Sequence, residues 1–133
     1  MYIGPVQAAY DVNKLKDLNI THIVNLSGMD YHTEPSVLQY ISLEIEDNSN
    51  EDISQFFMKT NQIIENTAPT NVLVHCKAGV SRSVSICIAY LMWKHKMNFT
   101  KALELMVQCN PRSKPNKGFR SQLEQYGEHL GIS

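Results

Sequence analysis

Residues 71 to 93 read NVLVHCKAGVSRSVSICIAYLMW, and this stretch decides the fold. Asn71 to Cys76 is apolar without alternation, as in a central strand covered on both faces. From Ser81 to about His95 the chain is apolar nearly all round, which predicts a largely buried helix. The six residues after Cys76 are mostly small, and they end at Arg82. A strand that runs through a short loop into a helix creates an anion site before any side chain acts. Unpaired backbone N–H groups converge there, and the helix dipole adds positive potential.

The rest of the chain supplies the elements such a unit needs. MYIG at the start reads as a short strand, and Ala8, Val12, Leu15 and Leu18 lie near helical spacing. THIVNLS (residues 21–27) is a β-branched strand punctuated by Gly28, and residues 29–36 form a loop containing Pro35. YISLEI (residues 40–45) alternates, with Ile41, Leu43 and Ile45 on one face. Ile53, Phe56, Phe57, Ile63 and Ile64 mark a helix face that Ser49 can cap, with Asp52 three positions on, and that Pro69 limits. Thr100 can cap a further helix bearing Leu103, Met106 and Val107, which Pro111 stops. Asn116 starts a last helix whose face is Phe119, Leu123, Tyr126 and Leu130.

Alternating strands and helices early, and helices late, give an α/β class with a central sheet. A whole helix separates residues 40–45 from 71–75, enough for a right-handed crossover that makes those strands parallel. Their C-terminal ends then share one sheet edge, beyond which ligands bind in such folds. Asp47 and Cys76 both fall just past those ends.

Composition narrows the class. With 133 residues and 43% hydrophobic content, one compact domain is expected. Twelve Lys and Arg against thirteen Asp and Glu give a formal charge of −1, which argues against a whole-protein field built for nucleic acid or an acidic membrane. No apolar run reaches the roughly 18 residues of a membrane span, and the first ten residues lack the plan of a secretory signal. Cys76, Cys87 and Cys109 are an odd set without metal spacing. Reduced thiols, and a cytoplasmic or nuclear location, are expected. His22, His32, His95 and His129 likewise have no metal spacing.

The chemistry of the 76–82 loop follows from its parts. Gly79 can take positive φ if the loop curls inward, and Arg82 can hold two oxygens of a tetrahedral anion in a fork geometry that lysine lacks. A thiol of pKa about 8.5 is only a few per cent ionised at neutral pH. Lowering it by about three units takes roughly 4 kcal/mol of thiolate stabilisation, which a helix N-terminus, several N–H donors and an arginine together can supply. The outcome is a thiolate at the bottom of a phosphate cradle, poised for attack on phosphorus. A positioned carboxylic acid accelerates loss of the leaving oxygen by about 10²–10⁴. Glu44, Glu46, Asp47, Glu51 and Asp52 all cluster near the expected position. Asp47 sits just past the strand end, with Glu46 or Asp52 as the alternatives and a solvated acidic turn as the other reading.

HCKAGVSRS resembles the H-C-x5-R-S/T signature of the protein tyrosine phosphatases, and VSICIAYLM resembles the following helix of the small dual-specificity phosphatases. The likeness extends through residues 1–27, through EIEDNSNEDI (44–53) and through KPNKGFRSQLEQY (114–126). The arginine of PRSKPNKGF (111–119) stands differently from many relatives. The resemblance implies a single catalytic domain over 1–133, with a central mixed, largely parallel sheet of about five strands flanked by helices. The residues themselves mark four strands. It further implies Cys76 as nucleophile, Asp47 as general acid and Arg82 as phosphate clamp. Lys77, Ala78, Gly79, Val80, Ser81 and Arg82 would supply phosphate-binding amides, and Ser83 would assist departure of the thiolate.

Expected substrates are phosphotyrosine and phosphoserine or phosphothreonine proteins, met by a monomer without metal, cofactor, nucleic acid or membrane. The same chemistry on phosphoinositides or RNA 5′ ends is the second reading. Lipid-directed relatives tend to carry a second loop lysine where Val80 stands. A phosphoprotein-binding pseudophosphatase is the third, and retention of Cys76, Asp47 and Arg82 argues against it. His75 is expected to orient the loop, Tyr31 and His32 either border the pocket or sit in a plain loop, and Lys77 is solvated or meets extra substrate charge. Cys87 and Cys109 are expected as small core residues, with a protective disulfide to Cys76 as a remote alternative.

Overall fold

The computed structural model describes residues 1–31 and 34–132. His32, whose place by the pocket was one sequence expectation, lies outside them. Four parallel strands form one sheet in the order β1-β4-β2-β3: β1 (Tyr2–Gly4), β2 (Ile20–Asn25), β3 (Gln39–Ser42) and β4 (Asn71–His75). β4 is central, pairing with β1 on one side and β2 on the other. Its side chains therefore alternate between two cores. Val72 and Val74 enter the larger one with Val24 of β2, while Leu73 enters a smaller one with Ile20 and Ile23.

The smaller core is closed by a 3-10 turn (Val6–Tyr10) and α1 (Val12–Asp17), through Ala9 and Leu15. The larger is closed by α2 (Phe57–Asn66), α3 (Arg82–His95), α4 (Phe99–Cys109) and α5 (Lys117–His129). α3 runs through the middle of this layer: Val84, Ile86, Cys87, Ile88 and Ala89 are wholly buried, as its sequence predicted. At about 1.5–3 kcal/mol per large buried aliphatic side chain, this helix is the main anchor of the loop that precedes it.

The α/β class, the helix-flanked parallel sheet and the four strands marked by the residues are all present. The strand count is four among the described residues against the implied five or so, and all four are parallel. The third strand is also shorter than its alternation predicts. Its partner β2 ends at Asn25, so pairing stops after Ser42, although Leu43 and Ile45 keep pointing into the core. Two caps differ from expectation. Ser49 does not cap α2, which is entered through a 3-10 turn (Ile53–Phe56), and Asn98 rather than Thr100 caps α4, accepting from Lys101 N–H at 2.9 Å. Val107, expected on the inner face of α4, is 39% exposed, and Cys109 is exposed as well. Met106, one residue before Val107, is buried with Phe99 and Ala102, so the buried stripe of α4 passes to one side of Val107.

Candidate active site

Cys76 follows β4 directly, and Arg82 is the first residue of α3, so the loop between them caps the C-terminal edge of the sheet. Five of its carbonyls are tied outward. His75 Nδ1 donates to Cys76 O at 3.2 Å, Val6 N–H to Lys77 O at 3.2 Å, and Asn110 Nδ2 to Gly79 O at 2.9 Å. Lys114 N–H donates to Val80 O at 2.8 Å, and Ser85 donates to Ser81 O through both its N–H and its hydroxyl. In a trans peptide the C=O and the next N–H point in opposite directions. Carbonyls held outward therefore turn the N–H groups of Lys77, Ala78, Val80, Ser81 and Arg82 toward the interior of the loop. That is an anion cradle assembled by its surroundings, a ring of backbone donors at a helix N-terminus.

Gly79 makes the curl possible. Its φ is +71°, and a Cβ there would lie 2.8 Å from Gly4 C and 2.9 Å from Pro5 N. Only glycine suits both the left-handed backbone and the close approach to the end of β1.

The Cys76 side chain is 2% exposed, at the bottom of this cradle rather than on its rim. Burial pushes its pKa up. Hydrogen bonds from the Ser83 hydroxyl, with Oγ 3.2 Å from Sγ, and from the backbone of Ser83 and Gly79 outweigh this, helped by the Arg82 charge. The net pKa lies below that of an ordinary thiol. Cys87, fully buried within α3 and without such hydrogen bonds, shows what burial does when it dominates: its thiol is pushed up to about 12. That matches a core residue and makes it a poor nucleophile.

Arg82 is fixed from behind. Its Nη1 donates to Leu26 O at 2.9 Å and Ile45 O at 3.0 Å, carbonyls just past the ends of β2 and β3. Its Nε is buried with no hydrogen-bond partner among the described residues. An orphaned guanidinium N–H beside the cradle is the donor an oxyanion would satisfy.

Asp47 joins the site through α5. Its Oδ1 accepts from Asn116 Nδ2 at 2.9 Å, and the Asn116 N–H donates to Ser81 Oγ at 2.9 Å. The Asn116 Oδ1 meanwhile caps α5 by accepting from Phe119 N–H. Gly118 lets α5 press on the same loop: a Cβ there would stand 2.0 Å from Ser49 O. Gln122 adds two bonds, donating to Glu51 O at 2.8 Å and accepting from Ser54 N–H at 3.0 Å. The other carboxylates are engaged locally. Glu51 accepts from Glu46 N–H, Glu46 from the Asn48 amide, and Asp52 from the Ser54 hydroxyl.

Sequence reasoning read Asn116 only as a helix start, and it missed Tyr31 as a support. Tyr31 packs against Tyr10, Tyr40 and His75, and its hydroxyl hydrogen-bonds His75 Nε2. His75 is completely buried, which lowers its pKa and keeps it neutral. Its single proton sits on Nδ1, since Cys76 O can only accept, so Nε2 accepts from Tyr31. Nothing in the loop's composition signals this partnership, which depends on tertiary packing. Lys77 and Ala78 are exposed at the mouth.

The sequence and the fold are similar to those of known proteins. The catalytic-domain model of the dual specificity phosphatases matches residues 1–129. Dual specificity protein phosphatase 1B of Arabidopsis thaliana is 38% identical over 132 residues, which cover 98% of this chain and 79% of that protein. MAP kinase phosphatase with leucine-rich repeats protein 1 of Dictyostelium discoideum is 34% identical over 98% of this chain, and the match spans 16% of that protein's length. The crystal structure of human DUSP28 superposes with a TM-score of 0.93 at 30% identity, covering 98% of this chain and 92% of that one. With an ionisable cysteine in a backbone cradle, an anchored arginine and a match along nearly its whole length, the chain belongs to the dual specificity phosphatase family.

Proposed function

We propose that the chain hydrolyses phosphate monoesters on phosphotyrosine and on phosphoserine or phosphothreonine proteins through a cysteinyl-phosphate intermediate. The observation that carries this reading is the Cys76 thiol, lowered in pKa by Ser83, Gly79 and Arg82 inside a loop whose carbonyls are bonded to its surroundings. A protein that only bound phosphate would gain nothing from an ionised thiol, which repels the anion.

In the first step the Cys76 thiolate forms a bond to phosphorus as the bond to the leaving oxygen breaks. The Asp47 carboxyl gives its proton to that oxygen. The three remaining phosphoryl oxygens are held by the loop amides of Lys77 to Arg82 and by the free guanidinium N–H groups of Arg82. These donors serve the transition state because their positions are fixed before the substrate arrives. In the second step water attacks phosphorus, Asp47 takes its proton, and the sulfur–phosphorus bond breaks. The electron pair returns to Cys76, where the Ser83 hydroxyl stabilises it by hydrogen bonding.

A panel of phosphotyrosine, phosphoserine and phosphothreonine peptides, run with wild type and Cys76→Ser in parallel, tests the proposal. Turnover by wild type with retained phosphopeptide binding by the variant supports it. Binding without turnover by both proteins would make the chain a binder, and turnover by both would refute the nucleophile.

A further inference from the structure

Outside the catalytic cleft, the most distinctive surface is a groove of about 340 Å³ between α4 and the start of α5. Leu103, Val107 and Pro115 give it an apolar floor, and Lys114, Lys117 and Arg120 stand along its rim. No acidic side chain lines it. Lys114 and Lys117 form no ion pair among the described residues, and Arg120, stacked 5.4 Å over Phe99, has only a 3.5 Å contact to the exposed Glu124. In a chain of net charge −1, three cations around an apolar floor are a local concentration of positive charge.

The groove shares a wall with the cradle. The connection from Asn110 to Asn116 holds the loop through Asn110, Lys114 and Asn116, and its other side supplies Lys114 and Pro115 to the groove. A second pocket, which Arg82 helps to line beyond the end of β3, carries the reverse charge, with Glu44, Glu46 and Glu51 in its walls. A negatively charged peptide entering the cleft is therefore repelled from the β3 side and drawn toward α5.

Resting on the phosphatase reading above, we propose that this groove anchors an acidic segment of the phosphoprotein substrate, with one apolar side chain on the floor formed by Leu103, Val107 and Pro115 and its flanking carboxylates on Lys114, Lys117 and Arg120. An extended peptide covers about 3.3 Å per residue, so an anchor about three to five residues from the phosphorylated one can span the shared wall. Substrates carrying leucine or phenylalanine among glutamates at that distance are preferred, and basic flanks are disfavoured.

The test uses a fluorescent, unphosphorylated peptide with one leucine among four glutamates, and a control with lysines in place of the glutamates. The double variant Val107→Asp/Lys117→Glu adds a negative charge at exposed Val107 and reverses the charge at exposed Lys117. Glutamate at the first turn of α5 favours that helix, and the single variant Lys117→Gln serves if the double one fails to fold. Wild type should bind the acidic peptide at least about tenfold more tightly than the control, with an affinity that falls as salt rises. The double variant should lose about tenfold, and Lys117→Gln a smaller but measurable part, while hydrolysis of a small aryl phosphate stays within about twofold. Equal affinity for the two peptides, or binding that survives the variants, overturns the groove. Groove binding in a protein that hydrolyses no aryl phosphate instead overturns the phosphatase reading alone.

Discussion

Asn116 Nδ2 lies 2.9 Å from Asp47 Oδ1, and the same residue's backbone N–H bonds the phosphate loop at Ser81. One residue at the head of α5 thus ties the candidate acid to the loop that follows the candidate nucleophile. Asn116→Asp keeps an oxygen to cap the helix but removes the donor and puts a like charge beside Asp47. Turnover should fall by about 10- to 100-fold for alkyl phosphates and far less for aryl phosphates with good leaving groups, since only the former need the acid. A series of substrates of graded leaving-group pKa measures this, and an equal loss across the series would contradict it.

Asp47→Asn should show the same leaving-group dependence more strongly, with losses of about 10²–10⁴ on poor leaving groups. Glu46→Gln and Asp52→Asn should not, because both carboxylates are occupied within their own loop. Steady-state kinetics on one alkyl and one activated aryl phosphate separates the three. If Glu46 or Asp52 shows the pattern instead, the acid is misassigned.

Gly118→Ala introduces a Cβ where Ser49 O stands 2.0 Å away, so the acid loop must move while α5 itself gains a better helix former. The variant should fold yet lose activity chiefly on poor leaving groups. Retained far-ultraviolet circular dichroism with that kinetic signature checks it. An unchanged rate would mean that the loop's contact with α5 does not position Asp47.

The depressed Cys76 pKa predicts the pH dependence of alkylation. The thiolate reacts, so the iodoacetamide rate should rise with pH about a midpoint below the roughly 8.5 of a free cysteine. Ser83→Ala removes a leading hydrogen bond to sulfur and should move that midpoint upward. No upward movement would deny Ser83 its part in stabilising the thiolate.

His75 contributes to stability with a definite sign. Its folded pKa is lowered by burial, so below its unfolded value of about 6.5 the unfolded chain takes up a proton that the folded chain resists. The contribution is present in full above that pH and is lost as pH falls through the folded value. Tyr31→Phe leaves Nε2 buried without a partner and should cost about 1–3 kcal/mol. Urea unfolding at pH 7.5 and pH 5.5 measures both effects. A variant as stable as wild type would show that Tyr31 does not support the loop.

Much of this was legible in the residues because local pattern and tertiary role coincide there. Asn71 to Trp93 declares a buried strand, a tight loop and a buried helix, and the structure has them in those places. The alternation of residues 40–45 located the edge strand and so put Asp47 and Cys76 at one sheet edge. What escaped was set by contacts distant in sequence. The Asn116 bridge spans 69 residues to Asp47, and the Tyr31 to His75 bond spans 44. The outward pull on the loop carbonyls comes from Val6, Asn110 and Lys114, three positions with no shared pattern. Val107 misled because helical spacing places it beside Leu103 and Met106 but does not say which edge of that stripe faces the core.

If Cys76 acts as a thiolate nucleophile, phosphate passes through a covalent bond to its sulfur. Acid quenching during turnover of an aryl phosphate, followed by peptide mass spectrometry, detects that bond. A phosphoryl group is expected on Cys76, present with or without EDTA, accumulating when Asp47→Asn slows hydrolysis, and absent from Cys76→Ser. A phosphoryl group on another residue, or turnover that persists in Cys76→Ser, would contradict it.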